Sequence, residues 1–150
     1  MKFQIQIKKI TISKSMVKIN DSLKIRKKVF CEEQKVPEEN EFDGLDYNSI
    51  HFVAYKNNIA VGTARLREKS SGVYKIERLA VLKNERCQGI GKFITMYVIK
   101  EAIKFKNLLE LILHSQIQVS GFYKKLGFIK KGEIFFEENI PHIKMIYKLK

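Results

Sequence analysis

Apolar and polar residues recur along this chain with two spacings, which predict strands and helices in alternation. Residues 3–11 alternate as a half-buried strand, and the Asn-Asp-Ser triplet at 20–22 supplies helix-cap chemistry before LKIRKKVFCEEQ. Pro37 biases its neighbour out of helical geometry, so this first helix should end near Gln34.

The middle of the chain has the pattern of a sheet followed by a long helix. HFVAY, the turn KNN and IAVGTARLR predict a hairpin, and a second turn at SSG leads into VYKIERLAVL, a third strand. The next helix carries Ile94, Val98, Ala102 and Phe105 on one stripe. Its length predicts that it is the central helix.

The last third of the chain predicts a strand, a helix and two further strands. LLELILH is a short apolar run suited to a buried strand, and IQVSGFYKKL predicts a helix ended by Gly127. FIKKGEIFF and IKMIYKLK predict the final strands, separated by EENIPH.

The resulting order, β-α-(short α)-β-β-β-α-β-α-β-β, predicts an α/β fold. We expect one mixed sheet with helices on both faces and one parallel crossover around the central helix. Because the chain contains no linker, repeat or low-complexity tract, residues 1–150 are expected to form a single domain.

Composition and charge narrow the classes of function. The net charge of +13 attracts anions, but the charge is mostly lysine and is spread along the chain, which favours a solvated surface over nucleic-acid binding. No segment approaches the ~20 apolar residues that span a bilayer. We therefore expect a cytoplasmic protein that binds neither nucleic acid nor membrane.

The cysteines and histidines fit no metal-ligand spacing. Cys31 and Cys87 lie far apart, and His51, His114 and His142 are equally scattered. We expect reduced thiols and no metal.

One segment, CEEQKVPEENEFDGLD, opposes the basic trend with seven carboxylates at 32, 33, 38, 39, 41, 43 and 46. Such a patch either attracts a cationic substrate or forms a solvated helix end and loop. The sequence leaves both interpretations open.

The stretch RCQGIGK, residues 86–92, places two glycines where a strand hands over to the central helix. The first backbone N–H groups of a helix lack internal partners and carry partial positive charge, which favours phosphate oxygens. A P-loop is excluded because Phe93 follows Lys92, and a dinucleotide fingerprint is excluded because Ile94 replaces its third glycine.

What remains, R-x-x-G-x-G, resembles the acetyl-coenzyme A pyrophosphate loop of the GNAT superfamily of N-acetyltransferases, whose pattern is Q/R-x-x-G-x-G/A. Downstream, HSQIQVSGFYKKLGF resembles the second signature of that superfamily, which ends in FYxKxGF. VFCEEQKVPEENEFD, IERLAVLKNERCQGIG and GEIFFEENIPHIKM resemble its small bacterial ElaA/YjcF-type branch.

This resemblance implies a GNAT fold with acetyl-CoA as cosubstrate. The pantetheine arm would lie beside IERLAV, and that strand would separate from LELILH after Val81. Gln116 stands where many relatives carry an asparagine. The cofactor-binding residues implied are Leu79, Ala80, Val81, Arg86, Cys87, Gln88, Gly89, Ile90, Gly91, Lys92, Gln116, Phe122 and Tyr123.

The resemblance also suggests catalytic roles. Tyr123 is the candidate general acid for the leaving thiolate, and Glu77 is a candidate general base, although a buried ion pair is the alternative for it. The acceptor pocket is expected to include Asp43, Asp46, Glu137 and His142, while His142 is equally consistent with a turn residue. A serine hydrolase using His114 and Ser115 is disfavoured, because adjacent strand residues face opposite ways.

The expected activity is transfer of acetyl from acetyl-CoA to a primary amine, by direct attack in a ternary complex. The acceptor would be a small molecule or a peptide, and a homodimer is possible because dimers are common in the superfamily. The alternatives are a non-catalytic acyl-CoA sensor and a basic nucleic-acid-binding module.

Overall fold

The computed structural model describes residues 4–11 and 19–149, so the predicted strand position at Phe3 lies outside the described residues. The strands are β1 (Ile5–Thr11), β2 (Ser49–Lys56), β3 (Ile59–Ser70), β4 (Val73–Val81), β5 (Glu110–Gln116), β6 (Phe128–Glu137) and β7 (Ile140–Tyr147). The helices are α1 (Asn20–Arg26), α2 (Glu38–Glu41), α3 (Ile90–Ala102) and α4 (Ser120–Lys125). This order of elements is the predicted one.

The seven strands form one mixed sheet in the order β1-β2-β3-β4-β5-β7-β6. Among these described strands, β4 and β5 pair in parallel and every other neighbouring pair is antiparallel. The crossover between the parallel strands contains α3, the long central helix. The predicted α/β class and the single parallel crossover are confirmed.

Two hairpins turn through residue pairs with positive φ. Asn57 and Asn58 have φ of 51° and 67°, and Glu138 and Asn139 have φ of 49° and 62°. Paired positive φ values match the right-handed twist of the flanking strands. The predicted long connection EENIPH is therefore wrong, because β6 continues to Glu137 and β7 begins at Ile140.

The face of the sheet that packs against α3 carries apolar side chains. Gly62 lets the helix approach closely, since a Cβ there would lie 2.7 Å from Cδ1 of Ile94. The buried side chains of this layer include Phe52, Ala64, Leu66, Ile76, Ile94, Val98, Leu111, Leu113 and Met145.

The opposite face carries α1, which docks through polar contacts as well as apolar ones. Ser22 and Thr63 share a hydrogen bond of 2.7 Å, and the Tyr55 hydroxyl donates to Asp21 at 2.7 Å. The N-cap of α1 is Ile19, and no side chain of the described residues caps this helix, so the predicted capping role of residues 20–22 is wrong. A small apolar cluster fills the remaining space: Ile10, Ile25, Val29, Val53 and Ala80.

A π-helical segment, Lys27–Glu33, continues α1. The amide of Gln34 donates to the carbonyl of Val29 at 3.1 Å, so the helical stretch ends at Gln34 as predicted. No helix in residues 4–11 and 19–149 is long and apolar enough to span a membrane.

Candidate active site

The parallel strands β4 and β5 separate part of the way along their length. Their pairing runs from Val73 opposite Glu110 to Ile76 opposite Leu113, and beyond it β4 pairs with β3 alone. The sequence predicted this separation after Val81, whereas it begins at Glu77, the residue after the last β4–β5 pair.

A β-bulge explains the early separation. Thr63 pairs with Ala80 and Arg65 with Glu77, so two residues of β4 stand opposite Ala64 alone. One of the two, Arg78, has φ of 58°. A bulge bends its strand and increases the local twist, which turns the rest of β4 away from β5.

The separation opens into a cleft of about 940 Å³. Of the residues predicted to form a site, the cleft is lined by Asp43, Glu77, Leu79, Val81, Arg86, Cys87, Gly89, Ile90, Gly91, Lys92, Gln116, Phe122, Tyr123, Glu137 and His142. Three predicted site residues lie elsewhere. Ala80 packs under α1, Gln88 accepts a hydrogen bond from Lys56, and Asp46 lies in a buried ion network.

At one end of the cleft the glycine turn meets the amino end of α3. Gly89 has φ of 82°, which favours glycine, and no atom of the described residues lies within 4 Å of the position a Cβ would take. In the part of the chain that the structure describes, no side chain caps α3. A Cβ at Gly91 would make ordinary contacts at 3.8 Å to Val81 and 3.9 Å to Phe122. The helix therefore presents its first amides to an open space bounded by glycine.

Arg86 lines the cleft, and its guanidinium group is held by contacts within the chain. Its Nε donates to the carbonyl of Val81 at 2.9 Å, and its Nη atoms donate to Glu33 at 2.6 and 2.8 Å. Arg86 thus fixes the turn against β4 and the end of the π-helical segment. Lys92, which is exposed, is the cation that the turn offers to a ligand.

Tyr123 lies on α4 and borders the cleft. Its ring makes edge contacts with Phe122 and Phe128, and within the described residues its hydroxyl has no hydrogen-bond partner. Burial raises the pKa of Tyr123 to about 12. The phenol therefore stays protonated at neutral pH and is available as a donor.

Glu77, the predicted base, is held by three cations. Its carboxylate accepts hydrogen bonds from Arg65 and Arg67 and lies 3.3 Å from Nζ of Lys75. Burial alone would raise the pKa of Glu77, but the hydrogen bond from Arg67 and the charges of Arg65 and Lys75 lower it to about 2. So weak a proton acceptor suits the ion-pair alternative, and the contacts do not support a base role.

Buried arginines pair with three of the seven carboxylates of the acidic segment. Arg26 binds Glu41 at 2.9 Å and Asp46 at 2.8 Å, and Arg65 binds Asp43 and Asp46 at 2.9 Å each. On the cleft side, Arg78 contacts both Glu41 and Asp43. The interpretation of this segment as an attractant for cations loses support, because its buried carboxylates already have partners.

A second group of titratable side chains lines the cleft beyond β5. Glu137 accepts a hydrogen bond of 2.6 Å from Nδ1 of His114, and its other oxygen lies 3.9 Å from Nε2 of His142. The hydrogen bond from His114 lowers the pKa of Glu137. Sequence reasoning missed His114, although the strand alternation that puts it on one face with Gln116 was readable. No metal-binding group of His, Cys, Asp and Glu occurs in the described parts of the chain.

Comparison with known proteins places this geometry in context. The sequence profile described as "Acetyltransferase (GNAT) domain" matches residues 13–149. The chain is 40% identical to the Bacillus subtilis protein YyaT over 142 residues, with 93% of each chain covered. It is 37% identical to the uncharacterized N-acetyltransferase YjcF of B. subtilis, covering 92% of this chain and 98% of YjcF. The crystal structure of Escherichia coli ElaA superposes with a TM-score of 0.87 at 25% identity, covering 97% of this chain and 100% of ElaA.

Proposed function

The chain belongs to the GNAT family of acetyltransferases, and on this basis we propose that it transfers acetyl from acetyl-CoA to a primary amine. The transfer is a direct attack within a ternary complex. The acceptor is a small molecule or a peptide that carries the amine.

The observation that carries this proposal is the opening between β4 and β5, which leads to the uncapped amino end of α3. The diphosphate of the cofactor binds the open amides from Gly89 to Lys92, where the helix N-terminus favours negative charge. The pantetheine arm lies along the edge of β4 at residues 79–81, which no neighbouring strand of the described sheet covers on the β5 side.

The chemistry needs a neutral amine, support for an oxyanion and a proton for the leaving sulfur. The amine nitrogen attacks the thioester carbon, the N–C bond forms, and the C–S bond breaks with its electron pair on sulfur. Backbone N–H groups on the open edge of β4 stabilise the tetrahedral oxyanion. Tyr123 donates its hydroxyl proton toward the sulfur, a role supported by its position in the cleft and by its uncommitted hydroxyl.

The acceptor approaches from the other side of the opening, where Asp43, Glu137 and His142 line the cleft. Asp46 is not part of the proposed acceptor pocket, because its carboxylate is bound by Arg26 and Arg65.

Two measurements on the purified protein test the function. Titration calorimetry with coenzyme A should show binding, and a panel of primary amines with acetyl-CoA should release free thiol. Binding without thiol release from any amine would favour the acyl-CoA sensor instead. If folded protein gives no heat with coenzyme A or with acetyl-CoA, both the acetyltransferase and the acyl-CoA sensor are excluded.

A further inference from the structure

We propose that Glu137 and His142 form the subsite for the acceptor's ammonium group, and that Nε2 of His142 removes its proton before attack. This inference rests on the proposed acetyl transfer and adds to it the identity of the base.

The hydrogen bonding of His142 fixes which of its nitrogens can accept a proton. Nδ1 lies 2.7 Å from the carbonyl oxygen of Ile140. A carbonyl oxygen only accepts, so Nδ1 carries the hydrogen in the neutral ring and Nε2 keeps its lone pair. The His142 side chain is 11% exposed and lines the cleft, and its ring stacks on Phe135 across the β6–β7 pair. His142 is therefore held with its basic nitrogen defined.

Glu137 supplies the charge that this nitrogen needs once it is protonated. Its Oε1 accepts from His114, which leaves Oε2 facing Nε2 of His142. His114 acts here as a positioning residue, since it orients the carboxylate. The other charged groups near the pair are Lys75 on β4, whose charge acts on Glu137, and Glu138, which accepts a hydrogen bond from Asn40 of α2.

The spacing of the two acceptor atoms suits an ammonium group. Oε2 and Nε2 are 3.9 Å apart, too far for a direct hydrogen bond. A nitrogen placed about 2.8 Å from both would see them at about 90°, roughly 20° less than the tetrahedral angle between two N–H bonds, so each hydrogen bond bends by only about 10°. A primary ammonium therefore bridges the gap with two donors. Once Nε2 has taken one proton, rotation about the C–N bond of the amine turns the freed lone pair toward the thioester carbon.

Three other carboxylates that line the cleft are less suited to bind and deprotonate an ammonium group. Glu77 is shared among Arg65, Arg67 and Lys75, and Glu41 and Asp43 are bound by buried arginines. The pKa of Glu77 and that of Asp43 are lowered, because hydrogen bonds and charges from cations outweigh the effect of burial. Burial raises the pKa of Glu41, but its carboxylate is held between Arg26 and Arg78 and is not free to bind an amine.

Two protons leave the amine nitrogen during the transfer. The acceptor R–NH₃⁺ gives one proton to Nε2 of His142, which passes it to solvent after the reaction. The neutral amine attacks, and the second proton passes from the nitrogen of the tetrahedral intermediate to solvent. Tyr123 protonates the sulfur and regains a proton from solvent. The products are the amide, the free thiol of coenzyme A and one released proton.

The kinetic test compares His142→Gln with the wild type, using whichever amine of the panel gives the fastest thiol release. The glutamine amide keeps a polar group at this place but does not titrate. At pH 7 we expect kcat/KM to fall about 10²-fold, the scale of general-base catalysis, with the affinity for coenzyme A unchanged. As the pH rises, the variant should recover about tenfold per unit toward the amine's own pKa, because the free amine becomes more abundant.

Glu137→Gln tests the ammonium subsite and should raise the KM for the amine more than it lowers kcat. Glu133→Gln is its matched control, since Glu133 is exposed on the same strand and its substitution changes the charge equally. A loss in His142→Gln that is the same at every pH, or equal effects of the two glutamate substitutions, would overturn the proposal.

A second readout does not depend on turnover. Long-range ¹H–¹⁵N correlation on protein labelled at histidine should show the neutral His142 ring protonated at Nδ1. Ethylammonium chloride should shift its Nε2 signal, whereas sodium chloride at equal ionic strength should not. If coenzyme A binds but no amine is acetylated, the proposed acetyl transfer fails. The NMR titration then tests the ammonium subsite by itself, and an Nε2 signal that ethylammonium does not shift refutes the subsite.

Discussion

Replacing Gly89 by glutamate tests the cofactor site at the amino end of α3. The structure separates the cost to the fold from the cost to binding. Nothing lies within 4 Å of the added Cβ, so the fold pays only for a side chain at φ of 82°, roughly 1–2 kcal/mol. The protein should therefore remain folded, with a modestly lowered melting temperature.

The effect on binding is larger because charge and bulk enter the space assigned to the diphosphate. A carboxylate about 4 Å from one phosphate charge is opposed by about 1 kcal/mol in bulk water and about 4 kcal/mol near a protein surface. These limits correspond to a weakening of the coenzyme A Kd between about fivefold and about a thousandfold. Gly89→Gln carries similar bulk without charge, so the difference between the two variants isolates the electrostatic part.

The assay is titration calorimetry with coenzyme A at low and at high salt, alongside a melting curve for each variant. The excess loss in Gly89→Glu over Gly89→Gln should shrink as salt is added, since exposed charges are screened. A wild-type Kd in folded Gly89→Glu would refute the assignment of this turn to the diphosphate.

Two further predictions concern the cleft and the ion network. Tyr123→Phe should lower kcat by about 10²-fold or more while the Kd for coenzyme A stays within about twofold, and equal turnover would exclude the phenol as donor. Because burial raises the pKa of Tyr123 to about 12, the wild-type pH–rate profile should show no loss assignable to this group below about pH 10. The folded-state pKa of Glu77 is lowered from 4.5 to about 2, so its contribution to stability is present above pH 4.5 and is lost as the pH falls toward 2. This pKa difference corresponds to about 3 kcal/mol of stability, which urea titrations between pH 2 and pH 5 should detect. Glu77→Gln should destabilise the protein at pH 7 and flatten the pH dependence of stability in that window, and an unchanged slope would contradict the linkage.

Much of the architecture was predictable because it depends on local patterning. The alternation of β1 to β3, the apolar stripe of α3 and the glycines around residue 90 each have a physical cause within a few neighbouring residues. The glycine turn was placed correctly at the amino end of α3 for the same reason.

Features that depend on distances between remote residues were not predictable. The acidic segment could be recognised by composition, but nothing in it shows that Arg26 and Arg65 reach it from α1 and β3. The bulge at Arg78 is a matter of register between strands, so the sequence put the opening of β4 several residues too late. The contact between His114 and Glu137 likewise requires the pairing order of three strands.

The two faces of the sheet differ in how well they tolerate amino-acid substitutions. Under α3, one hydrocarbon side chain can replace another of similar volume at modest cost. On the opposite face, Arg65 binds Asp43, Asp46 and Glu77 together, so the loss of Arg65 removes a cation from three carboxylates at once. A substitution in this ion network therefore needs a compensating substitution at a second position, so this face is harder to redesign than the apolar face under α3.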